Sequence, residues 1–301
     1  TIIPPGKIVG KKNYVPAPNI YVINSDGTDL RNVTDKGSSG AVSPDGSSLA
    51  WRNSENGGMW VSNLDGTGAH KISDLSSTSL TWSADGSFIV AAAGSNQLKV
   101  MKADGSQQTT LDTASPFGNF DPRFTADGEI LLFTTGRSTP QGTEIAAQFV
   151  VAEFDDSGVP SLRDTTVIYD TTVPRIRYKF ICWIPGTSRE FFYTRHMMGS
   201  TILDGPKETV RAKLVDTGSS GPGRFQIQDL FVATGDEFIQ SFYETTPVFS
   251  PDGSQVVYFR QGLGLFIADW ELQNNASLNR TNERKLYAPA LGNHTIEAWV
   301  P

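Results

Sequence analysis

Short apolar runs separated by clusters of Gly, Asp and Ser dominate this chain. In one clear stretch Leu80-Thr81-Trp82 is followed by Asp85-Gly86, then by Ser87-Phe88-Ile89-Val90-Ala91. A polar loop, Gln97-Leu98-Lys99-Val100-Met101, the pair Asp104-Gly105 and Gln108 to Leu111 complete it. Runs of this length bounded by turn residues read as β-strands. Asp-Gly between two of them is a hairpin signal, because Gly takes positive φ without steric cost and the Asp carboxylate accepts bonds from nearby N–H groups. The stretch therefore predicts four antiparallel strands, with tight turns joining the first to the second and the third to the fourth.

The same stretch recurs. Eight Asp-Gly pairs run through the chain in two interleaved series. The first lies in Ser43-Pro44-Asp45-Gly46, Ser83-Ala84-Asp85-Gly86, Thr125-Ala126-Asp127-Gly128 and Ser250-Pro251-Asp252-Gly253; the second lies at Asp26-Gly27, Asp65-Gly66 and Asp104-Gly105. Asp204-Gly205 belongs to neither. A period near 40 residues built from short strands is the signature of propeller blades. Degenerate copies follow: Phe180 to Ile184 replaces one first strand, with Pro185-Gly186 as its turn and Arg189 to Thr194 as its second strand, and Pro247 to Asp269 returns to pattern. Five complete units fall between about residues 38 and 290.

The two ends supply a sixth. Lys7 to Gly10 and Asn19 to Ile23 resemble a second and a third strand with no first strand before them, while Thr295 to Val300 has the first-strand pattern. A closed ring removes exposed sheet edges. The expectation is thus an all-β, six-bladed β-propeller of four-stranded antiparallel blades, closed by pairing of the C-terminal strand with the N-terminal unit, with 1–301 forming a single domain.

Trp82, Phe124, Trp183, Phe249 and Trp299 recur at one position of the unit, with Val42 as the exception. With the aromatic-Ser-Pro-Asp-Gly turn and the later Asp-Gly turn, the chain resembles the TolB-like six-bladed propellers along its whole length. Propellers of this kind serve in protein docking, in carbohydrate processing and as gating domains of peptidases, so the resemblance assigns no single activity.

Composition narrows the classes. A net charge of −7 and a pI near 5.0 argue against a nucleic-acid partner, which needs a basic footprint. No apolar run approaches the roughly 18 residues of a membrane span. Cys182 has no partner for an internal disulfide, and its apolar setting reads as a buried small residue rather than a reactive thiol. The resemblance and the acidic, Lys-poor composition place the protein outside the cell or in the periplasm, as a monomer. No signal peptide is readable at Thr1, and no attached hydrolase domain is expected within the chain. Sequons stand at Asn32, Asn275, Asn279 and Asn293. No cofactor is expected, and no metal either, since the repeated Asp residues belong to separate turns and do not converge on one ion.

Function is expected where the repeat breaks. Gly136 to Glu144, His196 to about Lys207 and Val232 to Glu244 are long connections, and the resemblance places them on the face where propellers meet ligands. Met and aromatic residues flanked by charge suit a partner surface, which nominates Arg195, His196, Met197, Met198, Phe238, Phe242 and Tyr243; the plainer role of these aromatics is to pin a long loop. Arg123, Arg175, Arg177, Lys179 and Arg195 form a basic cluster, and the first four would attract an anion, unless these side chains simply pair with Asp121, Asp170 or Glu190. The main expectation is a non-enzymatic binding module presenting a loop-rich face to a protein or peptide. The alternative is a carbohydrate-active lyase or hydrolase on an acidic sugar, using Arg195 and His196 with a carboxylate such as Glu144, Glu244 or Asp121. The three histidines, at 70, 196 and 294, form no zinc motif.

Overall fold

The computed structural model describes the chain apart from residues 1–5, 13–17, 78, 94–96, 114–117, 126, 139–143, 156–160, 168–175, 188, 198–206, 221–222, 234–246, 261–262, 273–277, 288–293 and 301. The described residues form strands and no helix. In chain order these are β1 (Lys7–Lys12), β2 (Asn19–Asn24), β3 (Arg31–Thr34), β4 (Gly37–Val42), β5 (Ser48–Asn53), β6 (Met59–Asn63), β7 (His70–Ser73) and β8 (Leu80–Trp82). They continue with β9 (Phe88–Ala92), β10 (Gln97–Lys102), β11 (Gln108–Asp112), β12 (Gly118–Phe124), β13 (Ile130–Ser138), β14 (Glu144–Asp155), β15 (Ser161–Val167) and β16 (Ile176–Trp183). The last are β17 (Glu190–Met197), β18 (Lys207–Asp216), β19 (Phe225–Ala233), β20 (Val248–Phe249), β21 (Gln255–Arg260), β22 (Gly264–Leu272), β23 (Leu278–Tyr287) and β24 (His294–Val300).

They pair antiparallel into four-stranded sheets in the orders β24-β1-β2-β3, β4 to β7, β8 to β11, β12 to β15, β16 to β19 and β20 to β23. The fold is all-β, with four-stranded antiparallel blades of the propeller type. As the end pattern predicts, the C-terminal strand lies against the N-terminal one, with Ile8 opposite Trp299 and Lys12 opposite His294.

The Asp-Gly turns explain themselves atom by atom. Ser43 Oγ donates to Asp45 at 2.5 Å, Asp45 accepts the Ser47 N–H, and the Ser48 N–H donates back to Ser43 Oγ. The same closed set recurs at Ser83/Asp85, Thr125/Asp127 and Ser250/Asp252. Each motif thus satisfies the backbone donors that a chain reversal leaves without strand partners. The later turns use a second set, in which Asp26 and Asp65 accept from the N–H and hydroxyl of Thr28 and Thr67.

Two compact units divide the chain: Thr1–Thr78 with Ala103–Gly105 and Gly235–Pro301, and Ser79–Lys102 with Ser106–Thr234. In the first, one face of β1 and β2 sends Ile8, Tyr21 and Ile23 against Val257, Leu265 and Ile267, while the other sends Val9, Ile20 and Val22 against Leu49, Trp51 and Leu64. In the second, Leu131 and Phe133 meet Val90 and Leu98, whereas Ile130 and Leu132 meet Tyr178, Phe191 and Tyr193. Successive strand residues point to opposite faces. With both faces covered, the inner strands read as continuous apolar runs and not as alternation.

The recurrent aromatic position is only partly interior. Trp82 and Phe249 are buried, while Phe124, Trp183 and Trp299 are half-buried against the cores. The long connections are shorter than the sequence implies. Gly136 to Ser138 and Glu144 are strand, as are Arg195 to Met197, Lys207, Val232 and Ala233.

Candidate functional site

Of the nominated partner-binding residues, Arg195 is described in full, and it is already engaged. Its Nη2 and Nε donate to Glu208 Oε2 at 2.6 and 2.8 Å, and Nη1 stands 3.6 Å from Asp229. Asp229 also accepts the Tyr193 hydroxyl at 3.0 Å, and the Tyr178 ring meets the Tyr193 ring edge-on. The register places Arg195 opposite Glu208 on β18, so the pairing follows directly from the sheet. Burial works against the Arg195 charge, but Glu208, Tyr193 and Asp229 outweigh it and hold the guanidinium more firmly than usual; burial and Asp229 push the Tyr193 hydroxyl up. The two carboxylates fix the position of the guanidinium. Its partners are Glu208 and Asp229, whereas Glu190 binds Arg211.

The other candidates divide. His196 and Met197 end β17, where backbone pairing sets Arg177 opposite His196 and Lys179 opposite Thr194, and Glu144 opens β14. Asp121 and Arg123 lie on β12. Asp121 has φ of 49° and donates its N–H to Ser79 Oγ, while Arg123 donates to the Pro122 carbonyl. Met198, Arg175, Phe238, Phe242, Tyr243 and Glu244 lie outside the described residues. No cluster of three or more His, Cys, Asp or Glu that could hold a metal occurs among the described residues. Burial pushes the Cys182 thiol up to about 12, which keeps it protonated at neutral pH and out of nucleophilic chemistry.

At the opposite end of β17 and β18, where the tight turns lie, there is a cleft of about 580 Å³. Trp183, Ile184, Leu214 and Val215 make its apolar wall, and Asp127, Arg189, Glu190, Lys213 and Asp216 bring charge to it. Arg189, at φ of 60°, reaches across to the preceding sheet and donates to Asp127 and Glu129 at 3.1 and 2.7 Å. Arg224 makes a second bridge, to Asp216 at 2.9 Å and to the nearly buried Glu153 at 2.7 Å. Sequence reading passes over this cleft because its charges are spread over four turns and strands with no motif; the one visible cue is the Pro185-Gly186 turn followed three residues on by Arg189-Glu190.

No protein family and no curated protein matches the chain. Solved structures do resemble it. A structure of Kuenenia stuttgartiensis hydrazine synthase matches at 15% identity over 83% of this chain and 70% of that one, with a TM-score of 0.54. A chain of the nidogen/laminin complex matches at 12% identity over 97% and 98%, with a TM-score of 0.55. The tricorn protease matches at 12% identity and a TM-score of 0.55, over 96% of this chain but 30% of its own. At these identities the likeness is one of fold, and the shared fold is the β-propeller.

Proposed function

We propose that this protein is a non-enzymatic binding propeller, of the TolB-like six-bladed kind, that engages a protein or extended peptide at the ends of β13–β14 and β17–β18 remote from the Asp-Gly turns. The observation that carries the reading is the continuation of strand pairing past the apolar runs of β13 and β17 into the segments where the repeat breaks. Phe133 in β13 and Tyr193 in β17 belong to the apolar clusters, and pairing runs on past them to Ser138 opposite Glu144 and to Met197 opposite Ile176. The ladder thus continues for five residues in β13 and four in β17, about 13 Å or more of strand. Paired backbone at the rim of a blade holds its shape in advance, and such pre-organisation lowers the ordering cost of binding. The commitment of Arg195 to Glu208 and Asp229 supports binding over catalysis. The six four-stranded sheets and the β24–β1 pairing support the six-bladed count.

The test is selection of a displayed random-peptide library on the full chain and on a variant in which residues 136–144 and 196–207 are each replaced by a tight turn. Sequences enriched on the wild type and lost on the trimmed, folded variant are expected. Equal enrichment on both would move the site elsewhere. Depolymerisation of uronate polysaccharides, lost in Arg195→Ala, would replace the reading with the enzymatic one.

A further inference from the structure

The register of β16, β17 and β18 gathers basic residues into one row at the end remote from the tight turns. Arg177 stands opposite His196, and His196 stands opposite Lys207, so three basic residues succeed one another across three adjacent strands. Two residues along each strand, and therefore on the same face, the next row is Lys179, Thr194, Thr209 and Ala233. Like charges directly opposite one another, about 5 Å apart, destabilise a sheet. The strands of this sheet supply no counter-charge. β16 to β19 contain Glu190, Glu208, Asp216 and Asp229 as their carboxylates, and each is engaged elsewhere. Glu208 and Asp229 hold Arg195, which belongs to the other face; Asp216 holds Arg224; Glu190, at the turn end, holds Arg211. Hydrogen bonding on the face is incomplete as well. The fully buried Thr209 hydroxyl and the buried Nη1 of Arg211 have no partner among the described residues.

We propose that the row of Arg177, His196 and Lys207, with Lys179 beside it, binds the phosphoryl group of a phosphate monoester. Charge decides the class. The row and its neighbour hold three permanent cations and a histidine, and a carboxylate or a sulfate ester answers them with a single negative charge. A phosphate monoester brings nearly two, with three strong acceptor oxygens. Arg grips such a group through a planar fork of donors and Lys through a compact point charge, so the two residue types complement each other across the strands. A dianion between them also relieves the cross-strand repulsion that the row otherwise carries. That chemistry has two sources: a small phosphorylated molecule, and a phosphorylated residue of a polypeptide. The second would deepen the peptide-binding reading, since the row lies at the same ends of β17 and β18. The anion site does not rest on that reading: the random-peptide selection contains no phosphate, so the two results are read separately.

Titration calorimetry of the full chain at neutral pH with phenyl phosphate, phenyl sulfate, and a Gly/Ala heptapeptide carrying a central phosphoserine or serine tests it. Saturable binding of at least one phosphate compound is expected, about tenfold or more tighter than that of its sulfate or serine counterpart. Arg177→Gln and Lys207→Gln should each weaken it by about tenfold or more. Lys213→Gln removes a charge from the same face at the turn end, opposite Glu190, and should bind like the wild type, which separates a local site from bulk charge. Each Gln variant in the row removes one of a set of like charges, so its melting temperature without ligand should equal or exceed that of the wild type. A lower one would mean that the row is already paired within the fold, which overturns the proposal. Binding of the phosphopeptide but not phenyl phosphate assigns the site to a modified polypeptide, and the converse to a small molecule. The proposal is also overturned if neither phosphate compound saturates, if phenyl sulfate or the serine peptide binds as tightly, if either row variant binds like the wild type, or if Lys213→Gln loses as much as they do.

Discussion

Ser43 does two jobs in one turn, donating to Asp45 and accepting from the Ser48 N–H, and it is nearly fully buried. Ser43→Ala removes the acceptor of a sheltered backbone donor, so it should cost about 1–2 kcal/mol, read as a lower urea midpoint. The carboxylates of these turns lie below their ordinary value of 3.8, because Ser43 and Ser250 donate to Asp45 and Asp252, and Thr28 and Thr67 to Asp26 and Asp65. The sign follows. A depressed folded-state pKa contributes stability that is complete above the unfolded value and is lost as pH falls through the lower folded one. Urea midpoints should therefore be insensitive to these groups at pH 5 to 7 and should fall on acidification below about pH 4. Asp45→Asn and Asp252→Asn should flatten that fall, and an unchanged acid limb in the double variant would contradict the assignment. Gly66 is constrained twice, by φ of +88° and by a Val33 carbonyl that an added Cβ would meet at 2.5 Å. Gly66→Ala should accordingly destabilise by more than the ~1 kcal/mol of a merely disfavoured backbone conformation.

At the scale of the element, sequence pattern serves well where apolar burial and turn chemistry coincide. Phe88 to Ala91 and Leu98 to Met101 are strands because both of their faces meet neighbours, and the turn before the first and the turn after the second carry Asp and Gly for stated reasons. The pattern fails where pairing outlasts the apolar run. Gly136-Arg137-Ser138 and Arg195-His196-Met197 have no apolar signature, yet they are strand because each continues a ladder nucleated by the core. Tertiary context, not propensity, sets those ends. The basic cluster was half legible: the arginines are visible in the sequence, but Arg195 finds Glu208 and Asp229 through a register that only the folded sheet defines. The cleft at the turn end of β17 and β18 leaves only the cue of Pro185-Gly186 and Arg189-Glu190 in the sequence. The element also yields a paired prediction. Leu132, fully buried against the next sheet, should cost about 3 kcal/mol on replacement by Ala. Replacing 136–144 by a tight turn should cost much less, since it removes paired backbone but no core side chain. If chemical denaturation ranked the two the other way, the projecting ribbon would be part of the stabilising core and not a surface held out for a partner.

At the scale of the molecule, the question is what the pairing of the chain's two ends does for the whole. β24 gives β1 its outer neighbour, and Val300 packs with Val9, Val22 and Leu49 while Ile296 packs with Ile8 and Val257. The C-terminal strand therefore contributes to two cores at once, and its loss would open both while exposing the backbone donors and acceptors of β1. We propose, separately, that the 301 residues fold as one domain. Calorimetry should then show one transition for the full chain, with calorimetric and van't Hoff enthalpies in agreement. Deleting 294–301 should lower the melting temperature steeply. The truncated chain should also bind a dye for exposed apolar surface, since the buried faces of β1 and β2 lose their cover. Two separate transitions in the intact protein would make each compact unit its own domain. A truncated chain melting within a degree or two of the full one would show that β24 decorates a sheet already complete without it.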